Sequence, residues 1–251
     1  MIMDRRKFLA TSAALSGATF LPFGAFAEAH SSPFSFDTDG GPIQVHPINH
    51  ASFVMEVPGM VIYVDPVGEP SLYADKPAPD LILITHHHGD HFEMATLRGV
   101  ATAKTAFITN QVVYDGLEEF QTRAEVMDNG DVTLAGEYDI FAIPAYNMTE
   151  DRLEYHPEGR DNGYILDIFG TRVYIAGDTE DTPEMRALQD IDIAFLPMNL
   201  PYTMDIDAAA DAVMAFSPTY VFPYHYGESD IDAFTAMVGD HANVLRGNWY
   251  G

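Results

Sequence analysis

The chain has 251 residues, and its hydrophobic content of 47% is enough to build a buried core. It has 12 Lys and Arg against 38 Asp and Glu, a formal net charge of −26 at pH 7, and so acidic a surface repels nucleic acid and anionic lipid. Cysteine is absent, which excludes disulfides, thiolate nucleophiles and thiolate metal ligands.

The first 27 residues have the features of an export signal. Arg5 and Arg6 form a twin-arginine pair, a modest apolar stretch follows, and Ala25-Phe26-Ala27 offers a cleavage site. The segment resembles a bacterial Tat signal, which exports proteins already folded, and it predicts a periplasmic or secreted protein. An amphipathic helix or a membrane anchor is the alternative. No later stretch reaches the roughly 20 apolar residues of a membrane span.

Residues 28–41 mix Ser, Pro and Gly and predict a flexible leader, after which residues 42–251 predict one domain. The first half of that domain begins with short β runs at residues 43–48, 52–57 and 60–65. A Pro-Gly pair between the last two predicts a hairpin. LILIT, residues 81–85, is a continuous apolar run typical of a strand buried on both faces. Helical patterns follow near residues 93–98 and 110–120, with the strand TAFIT between them.

The second half of the domain repeats this order. The strands VTLA, YDIFAIPA, GYILDIF and TRVYIAGD come first. The apolar strands IDIAFLP and TYVFPYH then alternate with helices near residues 183–188 and 205–216. Hairpins followed by strands that alternate with helices predict two packed sheets with helices outside, a four-layer αββα sandwich of the α/β class.

The densest chemical motif directly follows LILIT. The stretch THHHGDHF contains His86, His87, His88, Asp90 and His91, so four of the chain's 10 histidines fall on one turn. Imidazole and carboxylate are the cysteine-free ligands that bind zinc and similar ions tightly. A sharp turn could direct His86 and His88 to one ion and Asp90 and His91 to a second, with His87 pointing elsewhere. A fortuitous cluster or a surface histidine tract is the alternative.

The pattern H-x-H-x-D-H after an apolar strand resembles the hallmark of the metallo-β-lactamase superfamily, whose fold is an αββα sandwich. The resemblance extends over residues 43–238 and implies two divalent metal ions, with zinc the expected ion. It implies that Asp178 in YIAGDT bridges the ions and that His225 in FPYHY is the last ligand of the second ion. It also implies that Asp65 in YVDP is a buried carboxylate that hydrogen-bonds a ligand histidine. Taken alone, Asp178 could be a turn cap and His225 a core histidine.

One position departs from the family pattern. After YDIFAIPA the family usually supplies a third histidine to the first ion, whereas this chain has Asn147 in PAYNMT. The carbonyl oxygen of asparagine carries no net charge and is a weak ligand. The first ion is therefore bound less tightly, or its third ligand comes from elsewhere, with His156 in the following loop as the candidate. A loop position fixed by Pro157, or a substrate contact, is the alternative for His156.

Further motifs, including HP, NGY, AGDT and PYHY, resemble a less characterised branch near the ascorbate-6-phosphate lactonase-like and similar small metal-dependent hydrolases. That branch has a histidine in its first hairpin, here His50, near the pocket; cross-strand packing is the alternative. The missing third histidine counts against β-lactam cleavage. Arg152 and Arg160 are candidate anchors for a phosphate or carboxylate of a small-molecule substrate, or else solvated loop residues.

The resemblance implies a metal-dependent hydrolase. Two cations ~3.5–4 Å apart lower the pKa of a shared water, which would attack an ester, lactone or phosphodiester while Asp90 passes a proton to the leaving group. Two alternatives stay open. One is a periplasmic metal-binding protein without turnover, which Asn147 favours, and the other is an iron redox enzyme on the same scaffold. The sequence predicts no oligomeric state.

Overall fold

Two seven-stranded mixed sheets form the centre of the fold in the computed structural model, which describes residues 33–250. The strands of the first sheet, each beside the next, are β1 (Phe34–Phe36), β2 (Ile43–Asn49), β3 (Ser52–Val57), β4 (Met60–Val64), β5 (Leu81–Leu83), β6 (Ala106–Thr109) and β7 (Ala124–Val126). Those of the second are β8 (Val132–Ala135), β9 (Tyr138–Ala145), β10 (Asp161–Ile168), β11 (Thr171–Ile175), β12 (Ile193–Pro197), β13 (Tyr220–Tyr224) and β14 (Asn243–Val244).

The described residues contain five α-helices and three short 3-10 helices. The α-helices are α1 (Met94–Val100), α2 (Gln111–Gly116), α3 (Pro183–Arg186), α4 (Ile206–Phe216) and α5 (Ile231–Val238). The 3-10 helices are Pro70–Tyr73, Glu118–Arg123 and Gly239–His241. Asp205 and Asp230 cap α4 and α5, because their side chains accept hydrogen bonds from the backbone N–H groups of Ala208 and Ala233. No helix in residues 33–250 has both the length and the apolar character of a membrane span.

Three hydrophobic clusters define the layers. The central cluster joins inward-facing residues of both sheets, among them Phe53 and Leu83 of the first and Phe195 of the second. Phe53 and Phe195 stack with ring centroids 4.1 Å apart. The other two clusters bury the outer face of each sheet against helices, one with α1 and α2 and the other with α3, α4 and α5. This arrangement confirms the predicted αββα sandwich.

The predicted hairpin and the predicted buried strand are both present, and the pairing of the central strands determines where their ends lie. Val57 pairs with Met60 across the predicted Pro-Gly hairpin of β3 and β4. The strand predicted from LILIT is β5, which is buried and pairs in parallel with β4 and β6. In the second sheet β11, β12 and β13 are also parallel. The carboxyl ends of parallel strands lie at one edge of a sheet, where ligand sites form.

The leader predicted over residues 28–41 is wrong at Phe34–Phe36. Phe34–Phe36 forms β1 and pairs with residues 43–45 of β2. The reason is aromatic burial, since Phe34 packs edge-on against Phe222 with ring centroids 4.9 Å apart. The strands β7 and β14 and the helix α5 were also not predicted. The predicted Tat segment, residues 1–27, lies outside the described residues and stays a prediction.

Candidate metal centre

Strand ends from both sheets carry the predicted site residues to one place. Asp65 follows β4, and the turn of residues 86–91 follows the short loop after β5. Asp178 follows β11, and His225 follows β13 directly. His50 occupies the turn between β2 and β3, and its carbonyl accepts a hydrogen bond of 3.0 Å from the backbone N–H of His225. The site therefore joins the two sheets at one edge of the sandwich.

The carboxylate of Asp178 lies at the centre of four imidazoles. Its oxygens are 3.2 Å from Nε2 of His225, 3.3 Å from Nε2 of His91, 3.5 Å from Nε2 of His156 and 3.8 Å from Nε2 of His86. These side chains are all buried. A carboxylate that faces so many histidine nitrogens can act together with them as a ligand of a metal ion.

Three overlapping groups of ligand atoms converge at Asp178. The first site consists of His86, His88 and His156, and the second site of Asp90, His91 and His225 together with His50. Asp178 forms a third group with one histidine of each, His86 and His91. Within each group the ligand atoms lie within 4.8 Å of one another. His87 belongs to none of these groups among the described residues. The structure thus brings together all the histidines, apart from His87, that the sequence predicts for the site.

Asp65 orients a histidine in each site. Its Oδ2 accepts hydrogen bonds from Nδ1 of His91 at 2.8 Å and from the hydroxyl of Thr85 at 2.7 Å. The hydroxyl proton of Thr85 is donated to Asp65. The hydroxyl oxygen therefore accepts a hydrogen bond from Nδ1 of His86, 3.0 Å away. Both imidazoles are thereby fixed with Nδ1 protonated and Nε2 directed at Asp178. Such outer hydrogen bonds set the tautomer and direction of metal-ligating histidines.

His156 has an equivalent support of its own. Its Nδ1 is 3.1 Å from Oδ2 of Asp161, which is buried and holds a two-point ion pair with the guanidinium of Arg160 at 2.7 and 2.8 Å. Burial opposes ionisation of Asp161, but Arg160 and His156 outweigh it and lower the pKa of the carboxyl. Asp161 is therefore a charged acceptor that fixes the His156 ring.

Asn147 holds the loop that carries His156. Its backbone N–H donates to the carbonyl of His156 at 2.8 Å, and its side-chain Nδ2 donates to the carbonyls of Arg152 and Tyr202. These bonds fold residues 147–156 back over the site. Of the two residues predicted as the third ligand of the first ion, His156 lies with His86 and His88, while the amide nitrogen of Asn147 anchors the loop and its buried Oδ1 has no hydrogen-bond partner among the described residues.

The protonation states of His86, His88, Asp90 and Asp178 suit cation binding. Burial lowers the pKa of His86 well below its usual value and that of His88 to about 4. Burial opposes ionisation of Asp178, but charges on His225 and His91 outweigh it and hold its pKa well below its usual range. Burial opposes ionisation of Asp90 too, but hydrogen bonds from His225 and His50 lower its pKa. Cations require these deprotonated forms.

Buried polar atoms without partners show whether the site residues fit a metal ion. Nε2 of His86, Nε2 of His91 and Oδ1 of Asp178 are buried and have no hydrogen-bond partner among the described residues. Nε2 of His91 and Oδ1 of Asp178 face each other at 3.3 Å, whereas Nε2 of His86 has no such partner, and leaving a buried group unpaired costs ~1–3 kcal/mol that a bound cation would relieve. The donors are only nitrogen and oxygen, and imidazole with carboxylate fits a divalent ion such as zinc. The residues therefore fit the metal centre that the sequence predicts.

His91 gives a prediction about protons. Burial disfavours its charge, but the carboxylates of Asp178 and Asp65 outweigh burial and raise its pKa well above the usual value. In the metal-free protein at pH 7 we therefore expect His91 to be protonated and to lose that proton when Nε2 binds an ion. Zinc titrations by calorimetry in buffers of different ionisation enthalpy should show about one proton released from this residue. Equal release from a His91→Asn variant would contradict the assignment.

The backbone at the site is held in uncommon conformations. His50, Asp65 and His225 are non-glycine residues with φ of 52°, 43° and 45°. Left-handed backbone in such residues costs free energy and concentrates at functional sites. Gly177 has φ of 66°, and a Cβ there would lie 3.0 Å from the carbonyl oxygen of Asn162 and 3.1 Å from Cβ of Thr85. The backbone before Asp178 can approach the other sheet so closely only because residue 177 is glycine.

A cavity of about 290 Å³ opens onto both sites. It is lined by His50, His88, Asp90, Tyr155, His156, Asp178, Asn199, Tyr202 and His225. The predicted arginine anchors are not among them. The Arg152 guanidinium pairs with Glu180 at 2.8 Å, and that of Arg160 pairs with Asp161. Both guanidinium groups thus lie in ion pairs that hold the site's loops, and their role as substrate anchors stays a prediction.

Two supporting residues were not predicted from the sequence. Asp161 gave no signal, because one carboxylate at the start of a strand is common. Tyr250, near the end of the chain, has its hydroxyl 3.1 Å from Nδ1 of His50, and Nε2 of His50 is 3.2 Å from Oδ2 of Asp90. Trp249 places this segment, since it is buried against Phe53. Such long-range contacts leave no local pattern in a sequence.

Comparisons with known proteins identify the family. Residues 44–225 match the β-lactamase superfamily domain. The chain belongs to this superfamily. It is 31% identical over 222 residues to the UPF0173 metal-dependent hydrolase of Pyrococcus abyssi, and the match covers 81% of this chain and 95% of that protein. The superfamily predicted from H-x-H-x-D-H is confirmed.

Solved structures agree with this assignment to the β-lactamase superfamily. A crystal structure described as a metal-dependent hydrolase from Parabacteroides distasonis is 42% identical, with a TM-score of 0.80 over 86% of this chain and 97% of that one. Igni18, a metallo hydrolase from Ignicoccus hospitalis, is 26% identical, with a TM-score of 0.70 over 82% of this chain and 95% of that one. CmlA, a diiron β-hydroxylase from Streptomyces venezuelae, covers 84% of this chain and 53% of its own at 18% identity and a TM-score of 0.63, and shows the fold alone.

Within the superfamily pattern, His156 should behave as a ligand of the first site. His156→Ala removes one of three imidazoles, so we expect bound metal to fall from about two ions per chain to about one. Inductively coupled plasma mass spectrometry on dialysed protein measures this ratio. Unchanged stoichiometry and affinity in the variant would return His156 to a loop role.

Asp161→Asn tests the support of that ligand. The amide keeps the size of the side chain but loses the charge that fixes His156, so we expect affinity at the first site to fall about 10- to 100-fold. Competition with a chromogenic chelator measures the affinity. Asp139→Asn, at an exposed position of β9, is the matched control and should bind metal as the unaltered protein does. Equal affinities in the two variants would contradict the role of Asp161.

Proposed function

We propose that this protein is a metal-dependent hydrolase with a dinuclear, zinc-binding centre. His86, His88 and His156 would hold the first ion, Asp90, His91 and His225 the second, and Asp178 would contact both. The observation that carries the proposal is the convergence of four imidazoles on the Asp178 carboxylate at 3.2–3.8 Å. The chain's membership of the β-lactamase superfamily, with relatives named metal-dependent hydrolases, supports it.

A bound pair of divalent cations lowers the pKa of water towards neutrality and polarises a carbonyl or phosphoryl oxygen. The chain's own residues supply the rest. Asp65 and Asp161 hold the ligand imidazoles in position from behind. Asp90 and His50 both line the cavity, and Nε2 of His50 is 3.2 Å from Oδ2 of Asp90. This pair is placed to hold a proton and deliver it to the departing group.

The cavity favours turnover over metal storage. A storage site needs only ligands, whereas here His50, Asp90 and Asp178 line an open cavity of about 290 Å³, close to the lower end of the ~300–1,000 Å³ found for small-molecule pockets. A small substrate can therefore reach the ligand atoms. The reaction we propose is hydrolysis of an ester, lactone or phosphodiester, with water as the second substrate.

Metal analysis combined with a substrate panel tests the proposal. The panel contains p-nitrophenyl acetate, a γ-lactone and bis-p-nitrophenyl phosphate, each assayed with the zinc-loaded and the chelator-treated protein. We expect hydrolysis of at least one class, lost on chelation and regained on adding zinc. Stoichiometric zinc with no turnover on any member would favour the metal-binding alternative.

A further inference from the structure

The cavity has an aromatic wall that the proposed chemistry does not use. Tyr155 and Tyr202, here called the tyrosine wall, both line the cavity and pack edge to face with ring centroids 5.2 Å apart. Tyr202 is 45% exposed. Aromatic rings bury a large apolar area at little cost in conformational entropy when a ligand packs on them. The wall therefore offers an apolar contact surface beside the ligand atoms.

The tyrosine wall is fixed by bonds between two loops. The side-chain Nδ2 of Asn147 donates to the carbonyl of Tyr202 at 2.8 Å, and Nη1 of Arg152 donates to the carbonyl of Thr203 at 2.8 Å. The loop of residues 147–156 is thus joined to that of residues 199–203. A wall held in this way is preorganised, so little conformational entropy is lost when a ligand packs on it.

The same two loops expose further apolar side chains. Met148 and Leu153 on the first loop are 43% exposed each, and Leu200 on the second is 50% exposed. Single exposed apolar residues are ordinary, but several on two joined loops beside a cavity indicate a binding surface. If a bound ligand has an apolar group that extends out of the cavity, this group would therefore contact apolar side chains on these loops.

Charge argues against an anionic group away from the ligand atoms. None of the nine residues that line the cavity is Lys or Arg, and the neighbouring Arg152 and Arg160 are paired with Glu180 and Asp161. A phosphate or carboxylate group normally requires such a cation or a cluster of backbone N–H donors. The chain's net charge of −26 adds long-range repulsion to any anion.

We propose that the substrate is an uncharged carboxylic ester or lactone whose apolar acyl or aryl group packs on the tyrosine wall. This inference rests on the proposed hydrolase function and narrows its substrate class. In the reaction, the oxygen of water forms a new bond to the acyl carbon and the acyl carbon–oxygen bond breaks. The departing oxygen takes up one proton, so an ester gives a carboxylic acid and an alcohol, and a lactone gives a single hydroxy acid.

A chain-length series provides the kinetic test. With zinc-loaded protein and the p-nitrophenyl esters of acetic, butyric and hexanoic acid, KM should fall as the chain lengthens, while bis-p-nitrophenyl phosphate is the poorer substrate. Tyr202→Ser should raise KM for the hexanoate about tenfold, the effect of losing one aromatic contact, with kcat within about twofold. Tyr202→Phe keeps the ring and should retain the low KM.

Binding to the metal-free protein provides a test that needs no turnover. Ligand-observed NMR at pH 8 compares the uncharged 4-phenylbutyramide with the charged 4-phenylbutylphosphonate. We expect the amide to bind at least about tenfold more tightly, and Tyr202→Ser to weaken it about tenfold. Leu134→Ser is the matched control, because Leu134 is 67% exposed on β8 and does not line the cavity.

The outcomes separate the two proposals. Hydrolysis with no chain-length effect, or a preference for the phosphodiester and the phosphonate, would overturn the substrate class and leave the hydrolase intact. Absence of turnover together with tighter, Tyr202-dependent binding of the amide would overturn the hydrolase and retain the tyrosine wall as a ligand site. Equal weakening in folded Tyr202→Ser and Leu134→Ser proteins would also overturn the wall, since the binding would then not depend on the tyrosine ring.

Discussion

Asp178→Asn is expected to remove both metal ions and to lower kcat/KM more than about a thousandfold. The Asp178 carboxylate lies 3.2–3.8 Å from histidine nitrogens of both sites. An amide of the same shape lacks the charge that would offset bound cations, and it replaces one of the two acceptor oxygens that face the imidazoles with an NH2 donor. Metal content after dialysis and hydrolysis of the best panel substrate measure the effect.

The control for this variant is Asp139→Asn, which changes one carboxylate at an exposed position of the same sheet. It should retain metal and activity. Circular dichroism of the metal-free proteins distinguishes a lost site from a lost fold. A folded Asp178→Asn protein that still holds two ions per chain would contradict the central place given to this carboxylate.

His88→Ala is expected to lower bound metal by about one ion per chain and activity more than about a hundredfold. His88 belongs to the first ligand set and lines the cavity, and it is only partly buried, so alanine there leaves the core intact. His87, its neighbour in the chain, belongs to neither ligand set among the described residues. His87→Ala should therefore keep nearly full metal content and most of the activity.

These adjacent variants form a matched pair, because each removes one imidazole from the same turn. Equal losses of metal in both would show that the turn tolerates no change or that the ligands are misassigned. A larger loss in His87→Ala than in His88→Ala would refute the first site as we have drawn it.

The sequence predicted most of this site because its signals are local. LILIT predicted a buried strand, and the turn after it places His86, His88, Asp90 and His91 by spacing alone. Asp178 and His225 needed the family resemblance, since a single carboxylate or imidazole at a strand end is common. The structure places both at strand ends beside that turn, because parallel neighbours end at one edge of each sheet.

The features of the site that the sequence did not predict depend on contacts between segments far apart in the chain. The sequence left Asn147 and His156 as alternatives, and only the fold of residues 147–156 shows that one anchors the loop while the other reaches Asp178. Tyr250 meets His50 across 200 positions of the chain. Arg152 and Arg160 have the chemistry of substrate anchors, but their guanidinium groups form ion pairs with the buried carboxylates of Glu180 and Asp161. No period or spacing encodes these pairings.

The most direct test of the proposed metal centre is the divalent metal content of the purified protein. Inductively coupled plasma mass spectrometry measures it before and after incubation with zinc and dialysis. We expect about two ions per chain, either as isolated or after incubation. A folded protein that carries no stoichiometric divalent ion, and retains none after exposure to zinc, would contradict the account.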